Sequence, residues 1–206
     1  MQNIYDECHV AGGMSAYEWE RDPKRILFIL ARYKFVAKML EGKELVLEVG
    51  CADGYGSRVV RQHVQNLDAI DIDTSSIVEA QQNCSPKWPI NFMVRDILEQ
   101  PRRLHGYDAV YALDLFEHFY VEQESVLLES LYDSASVCII GTPSLESQAH
   151  ASKLSKEGHV NCVSGHALKT KCLAYWDQVF MFSMNDEVVH TGFSPMSHYN
   201  FVLCVR

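Results

Sequence analysis

The chain has 206 residues, of which 48% are apolar, and a formal net charge of −9. That length suits one α/β domain, and that apolar share fills a core and excludes a disordered chain. The composition also argues against a membrane span, since no run reaches roughly 18 apolar residues, and against a nucleic-acid grip. Its basic clusters, Arg21/Lys24/Arg25 and Arg102/Arg103, are small.

The acidic, mixed start MQNIYDECHVAGG does not read as a secretory signal. Seven cysteines (8, 51, 84, 138, 162, 172 and 204) form no C-x-x-C pair, and several sit in apolar runs. Buried free thiols in a reducing, cytoplasmic setting are expected, with no metal site.

Residues 1–23 read as a polar and aromatic lead-in containing Tyr5, Tyr17 and Trp19. Tyr17–Trp19 is either a lid segment or a packing anchor. Asp22-Pro23 opens a helix whose apolar residues fall at 26, 29, 30, 33, 36, 37 and 40, with Glu41-Gly42 stopping it. LVLEV (45–49) predicts a strand, followed by the turn CADGYG and a helix over 57–65. LDAID (67–71) predicts a second strand, and Thr74 or Ser75 caps a helix to about 83. Strands follow at 90–94, 108–113 and 136–140, with a helix near 121–133 between the last two. Residues 142–163 read as loop, and Ser164 caps a last helix to about 175. QVFMFSM and HYNFVLCVR then read as a terminal hairpin near 178–185 and 199–206. Strand and helix alternating at this pitch predict a Rossmann-like, doubly wound, mostly parallel sheet of seven strands, ending in an antiparallel hairpin.

The strongest chemical signal is the strand-turn-helix VLEVGCADGYG (46–56). A dinucleotide loop, G-x-G-x-x-G, fails here: from Gly50 it needs glycine at 52 and 55, where Ala52 and Tyr55 stand. From Gly54 the third glycine falls on Val59. Glu48 would also repel a pyrophosphate. S-adenosylmethionine carries an ammonium and a sulfonium instead, and a nearby carboxylate attracts both. Asp71, ending the second strand, is placed to accept from two ribose hydroxyls.

VLEVGCADGYGS, AIDID, FMVRDI and YDAVYALDLFEHF together resemble the successive motifs of class I S-adenosylmethionine-dependent methyltransferases, over about residues 45–141. The Leu/Phe-Glu-His ending is similar to the small-molecule branch; Ala52 departs from a common glycine. The resemblance implies that Glu48, Gly50, Cys51 and Gly54 surround the methionine part of S-adenosyl-L-methionine, converted to S-adenosyl-L-homocysteine. It puts Asp71 on the ribose and Ile72 against the adenine. Asp96 takes the adenine amino group, Ile97 the ring, and Leu113 and Asp114 line the cleft.

A hydroxyl acceptor needs a general base, for which histidine is suited near neutral pH. His159 in EGHV matches a histidine that relatives place before their last large helix, and His118 in FEHF is the second candidate. His150 and His166 are nearby loop histidines, and a metal site from Asp114, Glu117 and His118 is a minor alternative.

The expected organisation is one domain: lead-in and helix (1–42), cofactor core (43–141), then acceptor loop, last helix and hairpin (142–206). The expected function is methyl transfer to an oxygen or nitrogen of a small-molecule acceptor. A non-catalytic S-adenosylmethionine-binding regulator is the alternative.

Overall fold

The computed structural model describes residues 12–99 and 104–206. Tyr5, Cys8 and the Arg102/Arg103 cluster lie outside them. Leu45–Val49 (β1) is buried at four of its five positions because strands cover both of its edges. Asn66–Asp71 (β2) pairs parallel with β1 on one side, and Tyr107–Leu113 (β4) does so on the other. Asn91–Val94 (β3) continues outward from β2, and Ala135–Pro143 (β5) pairs parallel with β4. Sheets buried on both faces read as near-continuous apolar runs, and β1 and β4 do so.

The ending keeps the antiparallel pair expected near 178–185 and 199–206 and adds one strand to it. Tyr199–Val205 (β8) inserts between β5 and Gln178–Asn185 (β6), antiparallel to both, so β6 runs parallel to the first five strands. A short strand, Val188–His190 (β7), folds back on the outer edge of β6. Among the described residues the sheet therefore has eight strands, in the order β3-β2-β1-β4-β5-β8-β6-β7. The polar turn expected inside a simple hairpin is itself partly strand. β7 is only three residues long, too short for any period-2 pattern to announce it.

Among the described residues, seven α-helices accompany the sheet: Gly13–Arg21 (α1), Pro23–Met39 (α2), Ser57–Arg61 (α3), Thr74–Gln82 (α4), Glu124–Ser134 (α5), Lys153–Gly158 (α6) and Gly165–Cys172 (α7). α2 begins with Pro23 in its first turn and buries Ile26, Tyr33, Val36 and Ala37, matching the spacing read from the sequence. α4 is capped by Asp73, whose carboxylate accepts from the Ser75 and Ser76 amides; neither Thr74 nor Ser75 caps it. The Ser164 cap on α7 is as expected, with its hydroxyl accepting from the Ala167 amide.

α3 stops at Arg61, four residues early, where Arg61 turns back onto the Val64 carbonyl and the His63 carbonyl accepts from Gly42. The lead-in contains α1, a helix too poor in apolar residues to show a buried stripe. Inside the expected loop, a 3₁₀ turn at Glu146–His150 and α6 are both short.

Two apolar layers sandwich the sheet. Tyr33, Val36, Leu40, Val46, Ile77 and Tyr111 pack on one face, and Leu47, Val110, Leu127, Leu131, Leu168 and Trp176 on the other. Among the described residues, Cys51, Cys138, Cys172 and Cys204 are buried and Cys84 and Cys162 half-buried, all as free thiols. No described helix is long and apolar enough to cross a membrane.

Candidate active site

The chain leaves β1, runs outward through β2 and β3, and returns on the other side as β4. The carboxyl ends of β1 and β4 thus form the switch point where open α/β sheets bind ligands. A cleft of about 370 Å³ opens there, lined by Gly50, Asp71, Ile72, Asp96, Ile97 and His118 among others. A neighbouring hollow shares Ile72, Arg95 and Asp96 with it.

The glycine turn shapes one wall. Gly50 has φ +81° and Gly54 φ +69°, a left-handed region open to glycine without a Cβ penalty. A Cβ at Gly50 would come within 2.8 Å of Leu115, and one at Gly54 within 2.5 Å of Phe92. Ala52 also adopts positive φ, +47°.

Asp71 ties the wall together. One carboxylate oxygen accepts from the Ala52 amide at 2.8 Å and the other from the Asp73 amide at 2.9 Å. A carboxylate has about four acceptor sites, so Asp71 retains two for a ligand in the cleft. Asp96 similarly holds a turn through the Leu98 amide at 2.8 Å while lining the cleft. Ile72, 67% exposed beside it, offers a flat ring an apolar surface.

Glu48 stands behind the turn. It is buried, faces α2, and accepts from the Tyr33 hydroxyl at 3.0 Å. Its second oxygen has no partner among the described residues. Burial pushes its carboxyl up to about 7, opposed in part by the polar neighbours Ser57, Tyr111 and Tyr33. Cys51 and Leu113 are buried in the same layer, and neither they nor Gly54 line the cleft.

On the β4 side, Asp114 has φ +51° and holds both oxygens to the Arg32 guanidinium at 2.7 and 2.8 Å. Arg32 also lies 4.0 Å over the Tyr199 ring, whose hydroxyl accepts from the Asp114 amide. Neither Arg32, inside the apolar run of α2, nor Tyr199 stood out in the sequence.

Two histidines converge beyond it. The rings of His118 and His159 meet edge to face, with centroids 5.3 Å apart. His118 Nδ1 lies 2.9 Å from the Gly158 carbonyl, and His159 Nδ1 lies 3.0 Å from Gln148 Oε1. The Gln148 amide nitrogen donates to the Ser144 carbonyl, which fixes its oxygen toward His159. Both Nδ1 atoms thus carry their ring's proton, leaving each Nε2 a free lone pair. Burial and His118 hold the His159 pKa below its ordinary value. Glu117 is fully buried beneath them. It accepts from Thr142 at 3.0 Å through one oxygen, while the other has no described partner. Burial and Asp114 push its carboxyl up to about 8. His150 ends the Glu146–His150 turn, and His166 lies in the first turn of α7.

At its amino end, α1 closes over the glycine turn. Ser15 donates to Asp53 through its amide at 2.8 Å and its hydroxyl at 3.1 Å, and the Gly13 amide donates to Glu79 at 2.7 Å. Tyr17 and Trp19 remain 43% and 62% exposed.

Residues 46–135 match the family model described as a methyltransferase domain. No curated protein sequence matches the chain. Among solved structures, the chain is similar to the methyltransferase domain of the bacterial protein CtHen1 (16% identity, TM-score 0.71, covering 85% of this chain and 97% of that one). It is similar to the N-methyltransferase NodS of Bradyrhizobium japonicum (15%, 0.64, 91% and 98%). The magnesium protoporphyrin IX methyltransferase of Synechocystis, solved with bound S-adenosylhomocysteine, is also similar (17%, 0.63, 98% and 91%). Residues 46–135 thus match a methyltransferase domain, and the strand order and switch-point cleft give the chain the fold of these methyltransferase structures.

Proposed function

We propose that the chain transfers a methyl group from S-adenosyl-L-methionine to a hydroxyl oxygen of a small-molecule acceptor. One observation carries the reading: His118 lines the same cleft as Asp71 and Asp96, and its ring meets that of His159, each with a free Nε2. A hydroxyl must lose its proton as the methyl arrives, whereas an amine acceptor needs no such pair.

In this reading Gly50 and Gly54 keep the backbone close to the methionine part, beside Cys51. Glu48 supplies negative charge behind the turn. Asp71 accepts from the ribose hydroxyls, Asp96 from the adenine amino group, and Ile72 and Ile97 sandwich the ring. The Arg32-braced Asp114 walls the acceptor side, with Leu113 packed behind it. The cofactor supplies an electrophilic methyl on sulfonium, so the protein's task is alignment, exclusion of water and handling of one proton. The net charge of −9 supports a small acceptor over a polyanionic one.

The test is S-adenosylhomocysteine release with a panel of hydroxylated small molecules, amines and RNA. Turnover with a hydroxylated compound is expected. His159→Gln should lower its kcat about 10²–10⁴-fold and leave cofactor affinity unchanged. Cofactor binding without turnover on any acceptor would favour a regulatory protein, and turnover confined to RNA or amines would overturn the acceptor class.

A further inference from the structure

Glu117, His118 and His159 pose a problem that a free base pair does not solve. One ligating atom from each lies within 4.8 Å of the others, so three electron-rich groups converge on one point. Glu117 Oε1 is buried without a partner among the described residues. A buried, unpaired carboxylate oxygen is costly unless a cation or a proton meets it.

The surroundings suit a cation. Ligating histidines characteristically donate their other N–H to a carbonyl or carboxylate, which fixes ring orientation and tautomer. Both rings do so here, to Gly158 O and Gln148 Oε1. Glu117 is likewise oriented, through Thr142. Nitrogen and oxygen ligands sit about 2.0–2.2 Å from a shared ion, hence within about 4 Å of one another, so a small side-chain rotation closes the site. Asp114, which the sequence suggested as a ligand beside Glu117 and His118, has both oxygens committed to Arg32. His159 takes that place. It is 41 residues away along the chain, where no local ligand spacing could reveal it.

We infer that Glu117, His118 and His159 form a divalent-cation site beside the methyl-transfer cleft. Two imidazoles and one carboxylate favour a first-row transition cation such as Mn²⁺ or Zn²⁺ over Mg²⁺ or Ca²⁺. Three protein ligands leave coordination positions open. The inference deepens the hydroxyl-acceptor reading, rests on it for its role and replaces its base: with both Nε2 lone pairs on the cation, an acceptor oxygen bound there loses its proton to water more readily. Cation binding itself does not depend on that reading.

The experiment titrates MnCl₂ into the metal-stripped protein, followed by calorimetry and by loss of the free Mn²⁺ electron paramagnetic resonance signal. One ion per chain is expected, weakened at least tenfold in His118→Ala and His159→Ala. His190→Ala should bind as wild type. Because Glu117 is buried, Glu117→Gln is included only alongside these half-exposed or exposed positions, with circular dichroism confirming the fold. Absence of stoichiometric binding, or binding indifferent to both histidine variants, overturns the site; a protonated Glu117 then fills the gap. Chelator treatment separates the two proposals. Full turnover after stripping would leave the hydroxyl-transfer reading standing and end the cation's role in it. Stoichiometric Mn²⁺ binding without hydroxyl transfer would do the reverse.

Discussion

Glu48→Gln tests whether the carboxyl behind the glycine turn is held neutral by burial. The folded carboxyl titrates at about 7, against 4.5 for an ordinary one. The folded state therefore binds this proton more tightly than the unfolded state does. Its contribution is most favourable below about pH 4.5, and stability is lost as pH rises through about 7. At about 1.4 kcal/mol per pH unit separating the two values, the loss is on the order of 3 kcal/mol. Glutamine keeps the shape and an oxygen for the Tyr33 hydroxyl but cannot ionise. At pH 5 the two proteins should melt together. At pH 8.5 Glu48→Gln should be the more stable by that amount, roughly 6–12 °C in Tm for a chain of this size. Thermal melts by circular dichroism in half-unit steps, on protein without cofactor, give the difference curve. Glu117 titrates at about 8 in both proteins and cancels. Parallel curves, or a variant less stable at pH 8.5 than at pH 5 relative to wild type, would refute the argument.

Asp71→Ala removes a charged acceptor from the cleft and the anchor of the Ala52 amide. Cofactor affinity should fall about ten- to a hundredfold by titration calorimetry, with a lower Tm; unchanged affinity in a folded variant would place the ribose elsewhere. Gly54→Ala sets a Cβ 2.5 Å from Phe92 at φ +69°, whereas Gly42→Ala meets nothing within 4 Å at φ +84°. The left-handed penalty of roughly 1–2 kcal/mol applies to both, and overpacking adds about 1–3 kcal/mol only at Gly54. Chemical denaturation should separate them by that added amount, and equal losses would show that the loop yields freely.

Much of this protein was determined locally. The 3.6-residue stripe of α2, the apolar runs of β1 and β4 and the Ser164 cap each depend on neighbours a few residues apart, and they folded as read. The glycine turn and Asp71 were legible for the same reason, since a strand end and the turn beside it are fixed by short-range geometry. Tertiary structure decided what depends on distant partners. β8 entered the sheet between β5 and β6 because both of its faces pack into buried layers, and no period-2 pattern specifies which neighbours a strand takes. Glu48 was read as a carboxylate beside the loop that attracts the cofactor's cations, yet its face of β1 is covered by Tyr33 from α2. Arg32 reaches Asp114 across 82 positions, and His118 meets His159 across 41. Such pairings exist only once the sheet has brought the ends of β4 and the segment before α7 together, because side-chain chemistry at the switch point acts through space and the chain order does not encode it.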